Sequence, residues 1–253
     1  MTPIEVKTPA QLADMRRAGR VVAEVLELVT GIAEPGVTTE QLDRAADDHI
    51  VSRGARASFK GYRGFPASIC ASVNEEVVHG IPGPRKLREG DLLKVDVGAE
   101  WNGYHADAAV TVPVGEVGDE ARRLMQATRE ALSAGLAAIR AGVCVSAISA
   151  AVQKVVEDAG FSVVTEYTGH GIGRALHEDP KVPNFVGARW LTHDPVLEKG
   201  VVVAVEPMVN VGTERTEVLA NGWTVVTRDR KLSAHFEHTV AVEEESPVIL
   251  TLP

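Results

Sequence analysis

Four acidic residues stand in strongly apolar surroundings. Asp96 lies in Leu92-Leu93-Lys94-Val95-Asp96-Val97-Gly98, and Asp107 lies on the apolar run that follows it. Glu206 ends Val201-Val202-Val203-Ala204-Val205, and Glu237 precedes Thr239-Val240-Ala241-Val242. A buried carboxylate needs a partner or a metal. Any one of the four could form an ion pair at a strand end, but four together repel one another unless cations lie among them.

Between them runs Gly169-His170-Gly171-Ile172-Gly173. It lacks the G-x-G-x-x-G spacing and later acid of a dinucleotide loop, so its glycines are expected to let backbone pack closely around His170. Four carboxylates with one imidazole make an oxygen-rich donor set, which favours Co, Mn or Fe over a thiolate-bound structural zinc. The charge calls for two divalent metal ions.

These residues need elements that bring them together. Asn102-Gly103 is a strong two-residue hairpin signal. With that turn, Trp101 faces Tyr104, Gly98 faces Asp107 and Asp96 faces Ala109. Asp96 and Asp107 then become diagonal neighbours on one face, rooted roughly 7 Å apart and suited to converge on ions between them. His105, two residues from Asp107, faces the same way and competes as a ligand.

Helical spacing begins at Thr8, a cap followed by Pro9, with Leu12, Met15, Val22, Val25, Leu26 and Val29 on one stripe, and it should end near Pro35-Gly36. Thr38 and Gln41 form a capping box for a second helix running to about Gly54. A second pair is expected over Glu120 to Ala141 and Val145 to Asp158. Placing Gly36 on Gly142 also superposes Leu42 on Ile148, Ala45 on Ala151, Ile50 on Val156 and Gly54 on Gly160, an offset of 106 throughout. A β-rich stretch follows each pair: Ala67 to Val78 and Leu92 to Val114, then Phe161 to Thr168, Val201 to Val211, Thr216 to Arg228 and Ser233 to Val242. The expectation is an α+β domain over residues 1–253 built from two similar halves, about 1–114 and 115–253, whose sheets join around a cleft.

The 253 residues, 45% hydrophobic and 24% charged, contain no run approaching the ~20 apolar residues of a membrane span. A net charge of -9 without a Lys/Arg run argues against general nucleic-acid binding and leaves open only a local basic patch for docking on a ribosome. Two unframed cysteines and the absence of a signal segment place the chain in a reducing cytoplasm.

In order, Val78-His79-Gly80-Ile81-Pro82, Val95-Asp96-Val97-Gly98, His105-Ala106-Asp107, Gly169-His170-Gly171-Ile172-Gly173 with His177-Glu178, Val205-Glu206-Pro207-Met208 and Phe236-Glu237-His238-Thr239 resemble the type I methionine aminopeptidases over nearly the whole chain. The resemblance implies the pita-bread fold, with pseudo-twofold halves whose antiparallel sheet lines a dimetal cleft. It implies hydrolysis of N-terminal methionine from peptides and nascent chains by a monomer, with a small second residue preferred. Asp96 would hold one metal, Asp107 and Glu237 would bridge both, and His170 with Glu206 would complete the other. A bridging water or hydroxide would be the nucleophile, with Glu206 as proton shuttle. His79 would lie near the scissile nitrogen and His177 would donate to the carbonyl oxygen. The family gives His105 no ligand role.

By the same resemblance Tyr62, Phe65, Cys70, Leu176 and Trp223 line the methionine pocket, where aromatic and small apolar groups suit a thioether. Each could instead be core, although Trp223 sits in the polar turn Asn221-Gly222-Trp223-Thr224. Phe65, Leu176, Ala106 and His235 stand where the family pattern has tyrosine, phenylalanine, glycine and glutamine. Two other readings compete: a proline-specific peptidase of the same fold, which usually carries a large N-terminal domain for which the 78 residues before His79 leave little room, and a catalytically inactive peptide-binding member, which should have lost ligands.

Overall fold

The computed structural model describes residues 3–253. Helix α1 (Pro9–Gly31) starts at the Thr8 cap, where Gln11 N–H donates to the Thr8 hydroxyl and Thr8 N–H to the Gln11 side chain. Helix α2 (Thr39–Ser52) repeats this box with Thr38 and Gln41. The first helix stops at Gly31, short of the expected Pro35-Gly36. Strands β1 (Arg56–Ala57), β2 (Ile69–Val73), β3 (Glu76–Val78), β4 (Leu92–Trp101) and β5 (Tyr104–Pro113) follow.

The second set comprises α3 (Asp119–Ala137), α4 (Val145–Asp158), β6 (Ser162–Val163), β7 (Gly169–Gly171), β8 (Glu178–Val182) and α5 (Ala188–Leu191). It continues with β9 (Val202–Val205), β10 (Met208–Asn210), β11 (Thr216–Val218), β12 (Val225–Thr227), β13 (Ser233–His235), β14 (Glu237–Ala241) and β15 (Val248–Ile249). The duplicated positions behave alike. Leu42, Ile148, Ile50 and Val156 are all buried, and Gly36, Gly142, Gly54 and Gly160 all take positive φ where glycine carries no Cβ penalty. Thr38 and Cys144, again related by the offset of 106, each start a helix from an isolated antiparallel bridge, to Lys86 and Val196.

The main sheet runs β1-β4-β5-β14-β9-β7-β8, with β2 added to β4 and β15 to β14. The halves meet where β5 pairs with β14. One apolar cluster packs α1 and α2 against β2, β4 and β5, with Val22, Val25, Leu42 and Ile50 meeting Ile69, Val95 and Val97. A second packs α3 and α4 against the later strands, with Leu124, Ile148 and Val152 meeting Val203, Val205 and Val240.

Several expected β-rich runs divide: Thr216 to Arg228 into β11 and β12, and Ser233 to Val242 into β13 and β14, which lie in different sheets. The run from Val201 to Val211 divides into β9 and β10, which lie in different sheets, because Pro207 has no N–H to continue the ladder. Between Phe161 and Thr168 only Ser162–Val163 pairs. The third helix ends at Ala137 rather than Ala141. Among the described residues no helix is long and apolar enough to cross a membrane.

Candidate metal centre and its cleft

The hairpin turn falls at Asn102-Gly103, with φ of 52° and 79°, the two successive positive values that a tight hairpin of this hand needs. The register is the expected one: Trp101 opposite Tyr104, Gly98 opposite Asp107 and Asp96 opposite Ala109. Extending it across the sheet puts the candidates in two adjacent rows on one face. In the first, Cys70 pairs with Asp96, Asp96 with Ala109 and Ala109 with Glu237. The small Ala109 leaves space between the two acids. In the second, Asp107 pairs with Gly98, while Thr239 and His170 flank Ala204. Thr239 bridges to Asp107 through its hydroxyl, which accepts from Asp107 N–H at 3.0 Å and lies 2.9 Å from Oδ1 and 2.7 Å from the carbonyl oxygen. Glu206 follows β9, where Asn184 donates to its carbonyl at 2.9 Å as the chain leaves the sheet.

The Gly-His-Gly segment confirms close backbone approach. A Cβ on Gly169 would lie 2.3 Å from the Ala204 carbonyl oxygen, and one on Gly171 would lie 2.1 Å from that of Asp179. Glycine thus lets β7 sit tightly between β9 and β8, which aims His170 at the acids.

Asp107, His170 and Glu237 each offer a donor atom within 4.8 Å of the others. His170 Nε2 lies 3.6 Å from Asp107 Oδ2 and 3.4 Å from Glu206 Oε1. These gaps are long for hydrogen bonds. They suit donors about 2.1 Å from a shared ion, which sit roughly 3 to 4 Å from each other. Its Nδ1 lies 2.9 Å from the Gly171 carbonyl oxygen, so Nδ1–H donates there and Nε2 keeps the lone pair a metal requires. Asp96 Oδ1 and Glu206 Oε1 are buried without a hydrogen-bond partner.

Burial pushes Asp96, Glu206 and Glu237 well above the usual carboxylate range, and their mutual repulsion and that of Asp107 push them further. Asp107 is raised less, because His170 and the Thr239 hydroxyl offset part of its burial. Burial depresses His170, leaving its imidazole neutral. Converging anions, a neutral imidazole with a free lone pair and orphaned carboxylate oxygens fit divalent cations, which would satisfy all three conditions.

Above this floor opens a cavity of about 680 Å³, lined by every residue expected at the site: the five ligand candidates with Tyr62, Phe65, Cys70, His79, Leu176, His177 and Trp223. Phe65, Ala67 and Cys70 form one apolar wall, completed by Trp223, whose ring meets Phe65 edge-on at 5.1 Å. Leu176 packs in a separate cluster with Ile172 and Tyr62. Tyr62 Oη lies 2.9 Å from His177 Nδ1, and the His177 ring stands 4.2 Å from His170. His79 takes φ of 60° and lies edge-on to Tyr167 and Trp223. Burial drives His79 down to about 4 and, with help from His170, His177 down to about 3, so both rings are neutral. His105 shares the face of Asp107, but its Nδ1 is 2.8 Å from Ser58 Oγ.

Sequence reasoning missed Thr239 and Tyr167. Thr239 carried a signal, since it stands two residues from Glu237 on the same strand face. The side chain of His235 is buried in the cavity wall with Nε2 unpartnered and 3.9 Å from Glu237 Oε2.

Metallopeptidase family M24 matches residues 13–244. Methionine aminopeptidase 1 of Bacillus subtilis is 49% identical over 245 residues, which cover 97% of this chain and 98% of that one. The crystal structure of methionine aminopeptidase from Thermotoga maritima superposes with a TM-score of 0.96 at 41% identity, covering 99% of this chain and 100% of the other. The prolidase from Pyrococcus furiosus superposes with a TM-score of 0.80 at 18% identity over 98% of this chain and 65% of its own, a likeness of fold alone.

Proposed function

Because the chain belongs to metallopeptidase family M24, we propose that its cleft removes N-terminal methionine with two divalent metal ions held by Asp96, Asp107, His170, Glu206 and Glu237. The fold is the pita-bread fold, and the activity is that of a metal-dependent aminopeptidase acting on N-terminal methionine. The observation that carries the site assignment is the pair of adjacent rows on one sheet face, where buried acids converge on a neutral imidazole.

Asp96 would hold one ion, Asp107 and Glu237 would bridge, and His170 with Glu206 would complete the second; Co, Mn and Fe suit this donor set. Bound by these residues, divalent metal would supply Lewis-acid chemistry for the scissile carbonyl and for a water molecule.

The remaining work falls to the chain's own side chains. Glu206 takes a proton from the attacking water and passes it to the departing amine nitrogen as the C–N bond breaks. Tyr62 donates to His177 Nδ1, which leaves Nε2–H to donate to the carbonyl oxygen as negative charge develops. Neutral His79 lines the same cavity and would face the scissile nitrogen. Phe65, Cys70, Leu176 and Trp223 enclose the methionine side chain and exclude water from it. A small second residue, nascent chains in the cytoplasm, ribosome association and a monomeric state complete this reading, with one catalytic domain divided near residue 114.

Metal-reconstituted protein is expected to release methionine from Met-Ala-Ser and to cleave Ala-Pro-Ala negligibly, measured by amino-acid release. Preference for the proline peptide would reject the assignment. Absence of activity with Mn, Fe and Co would favour a peptide-binding role.

A further inference from the structure

Three cationic side chains line the mouth of the cleft: Arg63, Lys181 and Arg189. All three are exposed, and none pairs with a carboxylate among the described residues. They come from separate segments: a single turn at Tyr62–Gly64, strand β8 and helix α5. Arg63 lies over the Tyr62 ring and Arg189 over that of Trp190, each 5.3 Å from the centroid, so aromatic faces hold both guanidinium groups at the rim without neutralising them. Lys181 is the cross-strand partner of His170.

In a chain of net charge -9, three uncompensated cations around one opening run against the overall balance. Glu166 lines the same mouth, one carboxylate against the three cations, and it accepts from the backbone N–H of Thr216 at 2.9 Å and from the Thr216 hydroxyl.

A peptide bound for removal of its first residue lies with its amino end at the carboxylate floor and its downstream residues toward solvent. An extended chain advances about 3.4 Å per residue, so the residues after the second run outward from the floor toward the exposed cations. We infer that Arg63, Lys181 and Arg189 select substrates carrying acidic side chains at the third and fourth positions. This rests on the aminopeptidase reading above and adds a preference beyond the methionine pocket, set by charge complementarity and not by shape.

The test compares kcat/KM for C-terminally amidated Met-Ala-Glu-Glu, Met-Ala-Lys-Lys and Met-Ala-Ser on the metal-loaded enzyme. At low salt the acidic peptide is expected to exceed the basic one by roughly fivefold, mainly through KM. The gap should close toward about 0.5 M salt, because the three cations are exposed and screened. The combined Arg63→Ser, Lys181→Ser and Arg189→Ser variant should lose the preference and keep its turnover of Met-Ala-Ser-amide. Equal values for the two charged peptides, or a preference that survives in the triple variant, would overturn the inference and leave the aminopeptidase reading intact. No release from any of the three peptides would overturn both.

Discussion

The chemistry of the site rests on side chains that would be unfavourable anywhere else in the fold. Asp96, Glu206 and Glu237 are held far above their ordinary pKa values, and two of them leave a buried oxygen without a hydrogen bond. Asp107 differs because the Thr239 hydroxyl orients it through both backbone and carboxylate contacts. That contact predicts the behaviour of Thr239→Val, which keeps the shape and removes the hydroxyl. Losing the partner of the buried Asp107 N–H should cost about 1 to 3 kcal/mol of stability in urea denaturation. Losing the orientation of the carboxylate should weaken metal affinity by roughly 10- to 100-fold in a calorimetric titration. Unchanged metal affinity would show that Thr239 does not position Asp107.

At the scale of elements, the site depends on how closely strands approach one another. Strand β7 carries His170 between two glycines whose missing side chains admit the Ala204 and Asp179 carbonyls. Gly171→Ala would force its methyl into Asp179 and push β7 away from β8. Overpacking of this kind should cost about 1 to 3 kcal/mol, seen as a lower melting temperature, and should weaken metal binding in the fraction that folds. Full metal affinity in that variant would separate the glycines from the placement of His170. What the sequence revealed of these elements was local. The Thr8 and Thr38 boxes and the Asn102-Gly103 turn use residues within a few positions of each other, so the hairpin register and the rows containing Asp96 and Asp107 could be read directly. The division of β9 from β10 was hidden because apolar alternation does not say to which sheet a strand belongs, although Pro207 marked the break. The contact of Thr239 with Asp107 joins residues 132 positions apart, a pairing that periodicity does not reach.

At the scale of the molecule, two similar halves meet at the β5–β14 seam, and the site straddles it. Asp96 and Asp107 come from the first half, and His170, Glu206 and Glu237 from the second, so bound cations would tie the halves together. The family motifs named all five ligand candidates, but the cationic mouth went unread because Arg63, Lys181 and Arg189 are scattered in sequence. Without metal, the raised carboxylates hold protons that the unfolded chain releases near pH 4, so their contribution to stability falls as pH rises from there toward the folded values. The buried histidines, depressed by burial, act in the opposite sense, so the acids are isolated by comparison: metal-free Asp96→Asn, which lacks one raised carboxylate, should gain melting temperature relative to the native chain between about pH 5.5 and about pH 8. Saturating metal at about 1,000 times its Kd should restore about 4 kcal/mol. A difference between the two proteins that does not change with pH would argue against repulsion among the four acids. The most direct measurement is a calorimetric titration of metal-free protein with Mn²⁺, run alongside methionine release from Met-Ala-Ser, for the native chain and Asp96→Asn. The native chain should take up two ions and release methionine as it fills, whereas Asp96→Asn should stay folded, bind one ion fewer and lose activity. An Asp96→Asn protein that binds as many ions and keeps full activity would contradict the account.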